Sequence, residues 1–403
     1  MQKENSYTIF YVALDPERAT GTESVIPNYH VICPYKSKLT EELHSQGTPL
    51  FILEEHLEKK ELDRILERGS YGMLQFPAVQ KYIQQEEKKN PVAIIVLKTS
   101  QLIEDLCEKK GWNLWTPKAE IATIFENKLS QYEKLHTAVP FVPTKIFSLK
   151  QFPSKIRAKQ YPVIAQFNIG HSGGGTLLIH SLQDIKPLIE KFPERQVRVS
   201  PFLHGESYTL NGLVAKNGSV YHGSISMQLT GLKEATNNPL ATVGNDFQKP
   251  AENLTSSQQE QIQLILEKVG QKMHQEGYIG LFGIDVLVGQ KTKKVYFIEV
   301  NTHQPASISF EAKLHWKIGK LPLFFIWIHD MMRNNGFIPD EELHPPLLLP
   351  FPAYQILYRN KSEKEILANT ILFPNVPNVL PSRMKKVGEN EELFRIQYYD
   401  YNR

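Results

Sequence analysis

The stretch "VYFIEVNTHQPAS" (Val295 to Ser307) starts as a buried strand and then places Glu299 and Asn301 two positions apart, ahead of Thr302, His303 and Gln304. Side chains at i and i+2 of a strand share one face. A carboxylate and an amide therefore leave a hydrophobic ribbon in the same direction. Upstream, "LFGIDVLV" (Leu281 to Val288) reads as the partner strand across the polar turn "GQKTKK". With that turn centred near Lys291–Thr292, Asp285 lies almost directly opposite Glu299. Like charges facing each other across a sheet are destabilising, so two carboxylates among aliphatics call for a cation. Asp285, Glu299 and Asn301 offer hard oxygen donors, which suit Mg²⁺ or Mn²⁺ better than zinc. Mg²⁺ commonly takes one or two carboxylates and completes its shell with substrate phosphates. The bland alternative is an edge hairpin whose acids simply stay wet.

Before the hairpin, "LTSSQQEQIQLILEKVGQKMHQEG" carries Ile262, Ile265, Leu266, Val269 and Met273 on one helical stripe. Thr255 with Gln258 forms a capping-box pattern, and Gly277 ends the helix. Further upstream, "YPVIAQFNIGHSGGGTLLI" sets Gly170, Gly173, Gly174 and Gly175 between two strands. Adjacent glycines let backbone N–H groups gather round an anion. No Gly-Lys-Ser/Thr follows, and the next element reads as a strand, so neither a P-loop nor a dinucleotide fingerprint is present. Strand, glycine loop, strand suggests a flap over phosphates; a plain mobile turn is the alternative. The strands "QVRVSPFL", "ESYTLNGLVA" and "SVYHGSISMQL" lie between this loop and the long helix.

The first 117 residues alternate β-rich runs ("YTIFYVAL", "YHVICPY", "PLFILEE", "PVAIIVLKTS") with helical, charge-rich stretches, the pattern of a largely parallel α/β domain. "SQLIEDLCEKKG" reads as a helix capped by Ser100 and stopped by Gly111. A helix is expected over Lys128 to His136. "LPLFFIWIHDMM" (Leu321 to Met332) is too short to span a bilayer and reads as a buried helix or strand. The Pro-rich "FIPDEELHPPLLLPFP" reads as a loop or linker.

With 403 residues, 41% of them hydrophobic, and a formal net charge of +3, the chain has room for two or three cores and no basic footprint for nucleic acid or an anionic membrane. Only two cysteines are present, Cys33 and Cys107, which fits a reducing, cytoplasmic setting. The opening "MQKENSYTIF" lacks the apolar core of a signal peptide.

The order of these features resembles the ATP-grasp superfamily over about residues 118–310: a helix-start lysine, a "PVIxK"-type strand, a glycine loop, an adenine-linking strand, then "GIDVLV…VYFIEVNTH". The α/β stretch 1–117 looks like the domain that precedes it, and 311–403 a C-terminal portion completing or appended to it. The resemblance implies α/β and α+β architecture with ATP held between two lobes. It places Asp285, Glu299 and Asn301 on Mg²⁺ (or Mn²⁺) and Lys128 on the phosphates. Ser172, Gly173, Gly174 and Gly175 would close over the γ-phosphate. Pro201, Phe202 and Leu203 would form the adenine linker, with Glu206 on the ribose and Ile164 and Leu287 sandwiching the base. His303 takes the usual arginine position, where it would orient a carboxylate or bind a tetrahedral intermediate.

Two positions depart from the pattern. Gln166 stands where a second phosphate lysine is expected, so Arg198 or His171 must supply the missing charge, or the site has weakened. On this reading, Gln166→Lys would tighten ATP binding. Ser200 replaces an acidic residue ahead of the linker. Lys128 could instead be a solvated lysine, Glu206 a turn residue and His303 a core histidine. Gln228 and Asn245 are candidates to line an acceptor site.

The implied activity is an ATP-dependent ligase that activates a carboxylate as an acylphosphate and joins it to an amine. Amino acids or short peptides are the default substrates. The alternatives are a biotin-carboxylase-like or purine-pathway carboxylating enzyme, and an ATP-binding regulator that has lost turnover. Dimers are common enough to expect a homodimer.

Overall fold

A computed structural model describes residues 6–168, 175–333, 336–367, 379–381 and 386–401. The first sheet holds β1 (Thr8–Val12), β2 (Tyr29–Cys33), β3 (Leu50–Ile52), β4 (Val92–Val96) and β5 (Asn113–Leu114). All its pairings are parallel, in the order β3-β2-β1-β4-β5. A parallel sheet must be covered on both faces, and here both are. Phe10, Val12, Ile32 and Ile94 pack against helical residues Leu62, Met73, Val79 and Ile83. Ile9, Tyr11, Val31 and Ile95 pack against Phe324, Trp327 and Ile328 of the helix Leu323–Met332. That helix also buries Asp330, whose carboxylate accepts from the backbone N–H groups of Lys216 (2.9 Å) and Phe337 (3.0 Å). The Gln101–Lys110 helix stops at Gly111 in the left-handed region (φ 71°), but the Ser100 side chain makes no capping bond.

A four-stranded antiparallel sheet follows, made of β6 (Lys145–Ser148), β7 (Val163–Gln166), β8 (Thr176–Ile179) and β9 (Gln196–Pro201), in the order β6-β9-β7-β8. The large sheet contains β10 (Gly205–Val214), β11 (Val220–His222), β12 (Ser226–Thr230), β13 (Thr242–Asp246), β14 (Gly280–Gly289) and β15 (Val295–Asn301). "SVYHGSISMQL" thus forms two strands instead of one. Gly223 interrupts it where a Cβ would lie 2.3 Å from Glu311 Oε1.

Three strands of the C-terminal portion join this sheet. They are β16 (Ala353–Arg359), β18 (Val379–Pro381) and β20 (Glu392–Tyr399), while β17 (Ile366–Leu367) and β19 (Lys386–Val387) pair separately. The resulting order is β15-β14-β10-β12-β13-β16-β20-β18, with β11 on β10. The Ser256–Gln275 helix lays Ile262, Leu266 and Val269 onto it, with the Thr255–Gln258 capping box formed. Among the described residues no helix is long and apolar enough to cross a membrane.

The loop after β1 is bolted to both later parts of the chain. Arg395 on β20, 4% exposed, reaches Asp15 (3.3 Å), Glu17 (2.7 Å) and Glu392 (2.8 Å). Gln304, just past β15, donates to the Arg18 carbonyl (2.8 Å) and accepts from the Tyr11 hydroxyl (2.5 Å).

Candidate active site

A cleft of about 800 Å³ opens between the four-stranded sheet and the large sheet. Its floor is the β14–β15 ribbon. The register pairs Asp285 with Glu299 and Gly283 with Asn301. A bulge makes this pairing. Up to Val286↔Phe297 the strands run in one register, then Ile298 is looped out and Glu299 meets Asp285. Such an extra residue re-aims the side chains after it. Without it Glu299 would face away from the cleft.

Hydrogen bonds and an ion pair fix the ribbon's carboxylates. Thr209, the direct cross-strand partner of Asp285 on β10, donates to its Oδ1 at 2.7 Å and accepts from Gln228 Nε2 at 2.8 Å. Asn301 Nδ2 lies 3.3 Å from Asp285 Oδ2. Burial pushes the Asp285 carboxyl above its ordinary range, against the pull of Thr209 and Gln228. Glu299 is ion-paired to Lys128. Lys128 opens a helix (Lys128–Leu135) whose Asn127 cap accepts from the N–H groups of Leu129 and Ser130. Burial, and then the charge of Arg198, lower the Lys128 ammonium to about 8.

This donor set fits Mg²⁺ or Mn²⁺: two facing carboxylates, one of them costly to keep ionised without a cation, and an amide alongside. Among the described residues no group of three His, Cys, Asp or Glu side chains is placed to hold a metal unaided. A cation held here would complete its shell with water and a ligand's oxygens, as Mg²⁺ does with phosphates.

Gln166 and Arg198 are direct cross-strand partners on β7 and β9. Gln166 Oε1 accepts from Arg198 Nε (3.0 Å) and Nη2 (2.5 Å). Arg198 also donates to the carbonyls of Lys128 (3.2 Å) and Ile298 (3.1 Å). Burial lowers this guanidinium to about 10.

Ile164, Gly175, Ser200, Pro201, Phe202, Leu203, Leu287, Gln228, Asn245 and His303 all line the cleft. Ile164 pairs with Ser200 and Leu287 with Ser207, so the two apolar side chains come from the two lobes. Ser172, Gly173, Gly174 and His171 lie outside the described residues.

Glu206, expected on the ribose, does not line the cleft. Its carboxylate accepts from the Tyr208 hydroxyl (2.5 Å) and Asn253 (3.1 Å) in a separate groove, while Ser207 and Thr209 line the cleft. Alternation along β10 puts residues 206 and 208 on the face away from the cleft. Ser207 and Thr209 were missed in the sequence reading, although counting back from the Asp285 partner would have found them. Glu126 was missed as well. Its carboxylate is 2.5 Å from Lys98 Nζ and 3.3 Å from His303 Nδ1. Burial alone would raise it, but hydrogen bonds and charge from His303 and Lys98 outweigh this and hold it at about 2.

No protein-family model and no curated protein matches the chain. Solved structures do. Biotin carboxylase from Campylobacter jejuni, in a β,γ-ATP complex, superposes with a TM-score of 0.63 at 14% identity, over 98% of this chain and 88% of that one. N5-carboxyaminoimidazole synthase from Aspergillus clavatus, with ADP and 5-aminoimidazole ribonucleotide, gives 0.63 at 13% identity, over 99% and 95%. The biotin carboxylase domain of Hydrogenobacter thermophilus 2-oxoglutarate carboxylase, with MgADP and bicarbonate, gives 0.62 at 12% identity, over 97% and 86%. The chain has the fold of these proteins, an ATP-grasp fold preceded by an α/β domain.

Proposed function

We propose that this protein is an ATP-dependent, Mg²⁺-requiring ligase that phosphorylates a small carboxylate and joins the acylphosphate to an amine, releasing ADP and phosphate. The observation that carries the reading is the pairing of Asp285 with Glu299 on the cleft floor, with Lys128 beside them. Asp285, Glu299 and Asn301 would hold the cation that neutralises the phosphates during transfer. Lys128 would exchange Glu299 for a phosphate oxygen when nucleotide arrives. Ile164 and Leu287 would flank the base. Cys33 and Cys107 are both buried away from the cleft, and an acylphosphate route needs no cysteine nucleophile. Residues 1–117 and 311–403 would supply the acceptor side through Asp15–Arg18 and Arg395, with 118–310 binding nucleotide. An amino acid or short peptide is the expected carboxylate.

A second reading takes bicarbonate as the carboxylate. It is supported by likeness to a structure holding MgADP and bicarbonate. The test is release of ADP and phosphate from MgATP across amino acids, dipeptides and bicarbonate, with hydroxylamine as the amine. Hydroxamate formation supports an activated organic carboxylate, and release with bicarbonate alone selects the second reading. MgATP binding without ADP release on any of them contradicts both.

A further inference from the structure

Ile298 is the residue that the bulge in β15 leaves without a partner across the ribbon. A looped-out residue drops out of the strand ladder, so its carbonyl needs a donor from elsewhere. Arg198, on β9 of the four-stranded sheet and 4% exposed, supplies one from Nη2 at 3.1 Å. Through Nη1 the same guanidinium holds the Lys128 carbonyl at 3.2 Å. Both acceptors belong to the backbone of one ion pair: Ile298 directly precedes Glu299, and Lys128 is the partner of Glu299. The neighbours of the bulge are tied as well. Phe297 N–H donates to the Pro140 carbonyl (2.8 Å), and the buried Gln131 amide donates to the Val300 carbonyl (3.3 Å).

The use of its N–H groups separates a clamp from a phosphate ligand. A guanidinium carries five of them in a fixed planar fork. Gln166 Oε1 takes one from Nε and one from Nη2, and the two carbonyls take one each from Nη2 and Nη1. Four of the five thus point at protein acceptors. The group also lies over the Phe141 ring, 5.6 Å from its centre. An ammonium here would keep the charge. As a point donor it would not span acceptors on β7, on β15 and at the start of the Lys128 helix.

We propose that Arg198 is a positioning residue: oriented by Gln166, it clamps the bulge to the start of the Lys128 helix, so that Glu299 and Lys128 stay aimed at the cation and the phosphates. The shape of its fork, more than its charge, is what the site requires. This rests on the metal–nucleotide part of the ligase reading. It also gives Gln166 a task that a lysine could not perform, as the acceptor that orients the fork.

Mn²⁺ binding with a non-hydrolysable ATP analogue, followed by electron paramagnetic resonance, tests the clamp without turnover. Arg198→Lys keeps the charge and loses the fork. It should weaken the nucleotide-dependent Mn²⁺ about tenfold, as loss of a group supporting a metal ligand does. Arg198→Ala should lose as much. Millimolar guanidinium, which refills the fork, should recover most of that loss, and methylammonium, which returns only the charge, should not. If neither variant folds, Gln166→Leu unlocks the fork and leaves its charge in place. That variant is expected to weaken Mn²⁺ to the same degree while metal-free ATP binds within about twofold. Wild-type Mn²⁺ affinity in any of these variants overturns the clamp. So does recovery no better with guanidinium than with methylammonium, or a larger loss of metal-free ATP in Gln166→Leu. Absence of nucleotide-dependent Mn²⁺ binding in the wild type overturns instead the metal site on which the clamp rests.

Discussion

Gln166 Oε1 accepts two N–H groups from Arg198, its direct partner across the sheet. The position where the motif calls for a lysine holds an acceptor, and the positive charge comes from the neighbouring strand. Gln166→Lys is therefore predicted to do the opposite of what the sequence reading suggests. It sets an ammonium against a buried guanidinium, which should cost on the order of 3 kcal/mol, comparable to leaving a buried charge unpaired. Thermal unfolding should shift down and MgATP affinity should fall. The swap Gln166→Lys with Arg198→Gln should recover much of the loss, since residues in contact do not behave additively. Tighter MgATP binding in the single variant would contradict the account.

Strand alternation separates Ser207 from Glu206, and nucleotide binding should follow it. Glu206→Ala is expected to leave MgATP affinity within about twofold, because a surface substitution away from the site costs little. Ser207→Phe places a ring beside Leu287 in the cleft and should weaken binding at least about tenfold, in line with the cost of overpacking. Isothermal titration of both variants measures this. A larger loss from Glu206→Ala would return the ribose contact to that residue.

Stability should fall between about pH 4.5 and 7 because of Glu311. This carboxyl, 1% exposed, accepts from the Ser224 N–H (2.5 Å) and Asn211 Nδ2 (2.7 Å), and burial pushes it up from 4.5 to about 7. Within that window the folded chain keeps a proton that the unfolded chain has released. Stability present at lower pH is thus lost as pH rises through 7. The total is on the order of 3 kcal/mol, at about 1.4 kcal/mol per pH unit. Glu311→Gln should flatten this slope and raise stability above pH 7, with the Asn211 amide turning to present its otherwise unbonded Oδ1. Urea unfolding across the pH series reads it. An unchanged slope in the variant would assign the effect elsewhere.

The β14–β15 hairpin and the facing of Asp285 and Glu299 were legible because their signals are local: alternation on two strands and a polar turn between them. The Asn127-capped helix put Lys128 in view for the same reason. The bulge at Ile298 left no such mark, yet it is what turns Glu299 to face Asp285. Glu206 was misplaced because the start of β10 at Gly205 decides which face each residue takes. Arg395 with Asp15 spans 380 residues, and Glu126 with His303 joins separate elements. No spacing rule encodes contacts that exist only once the domains have packed.

The central claim is that Asp285, Glu299 and Asn301 hold a divalent cation together with a triphosphate. Titration of Mn²⁺ by electron paramagnetic resonance, with and without a non-hydrolysable ATP analogue, tests it most directly. One tightly held Mn²⁺ per chain is expected, seen only with the nucleotide and weakened at least about tenfold by Asp285→Asn, as losing a metal-site group does. Equal Mn²⁺ affinity in Asp285→Asn, or tight binding that ignores the nucleotide, would contradict it.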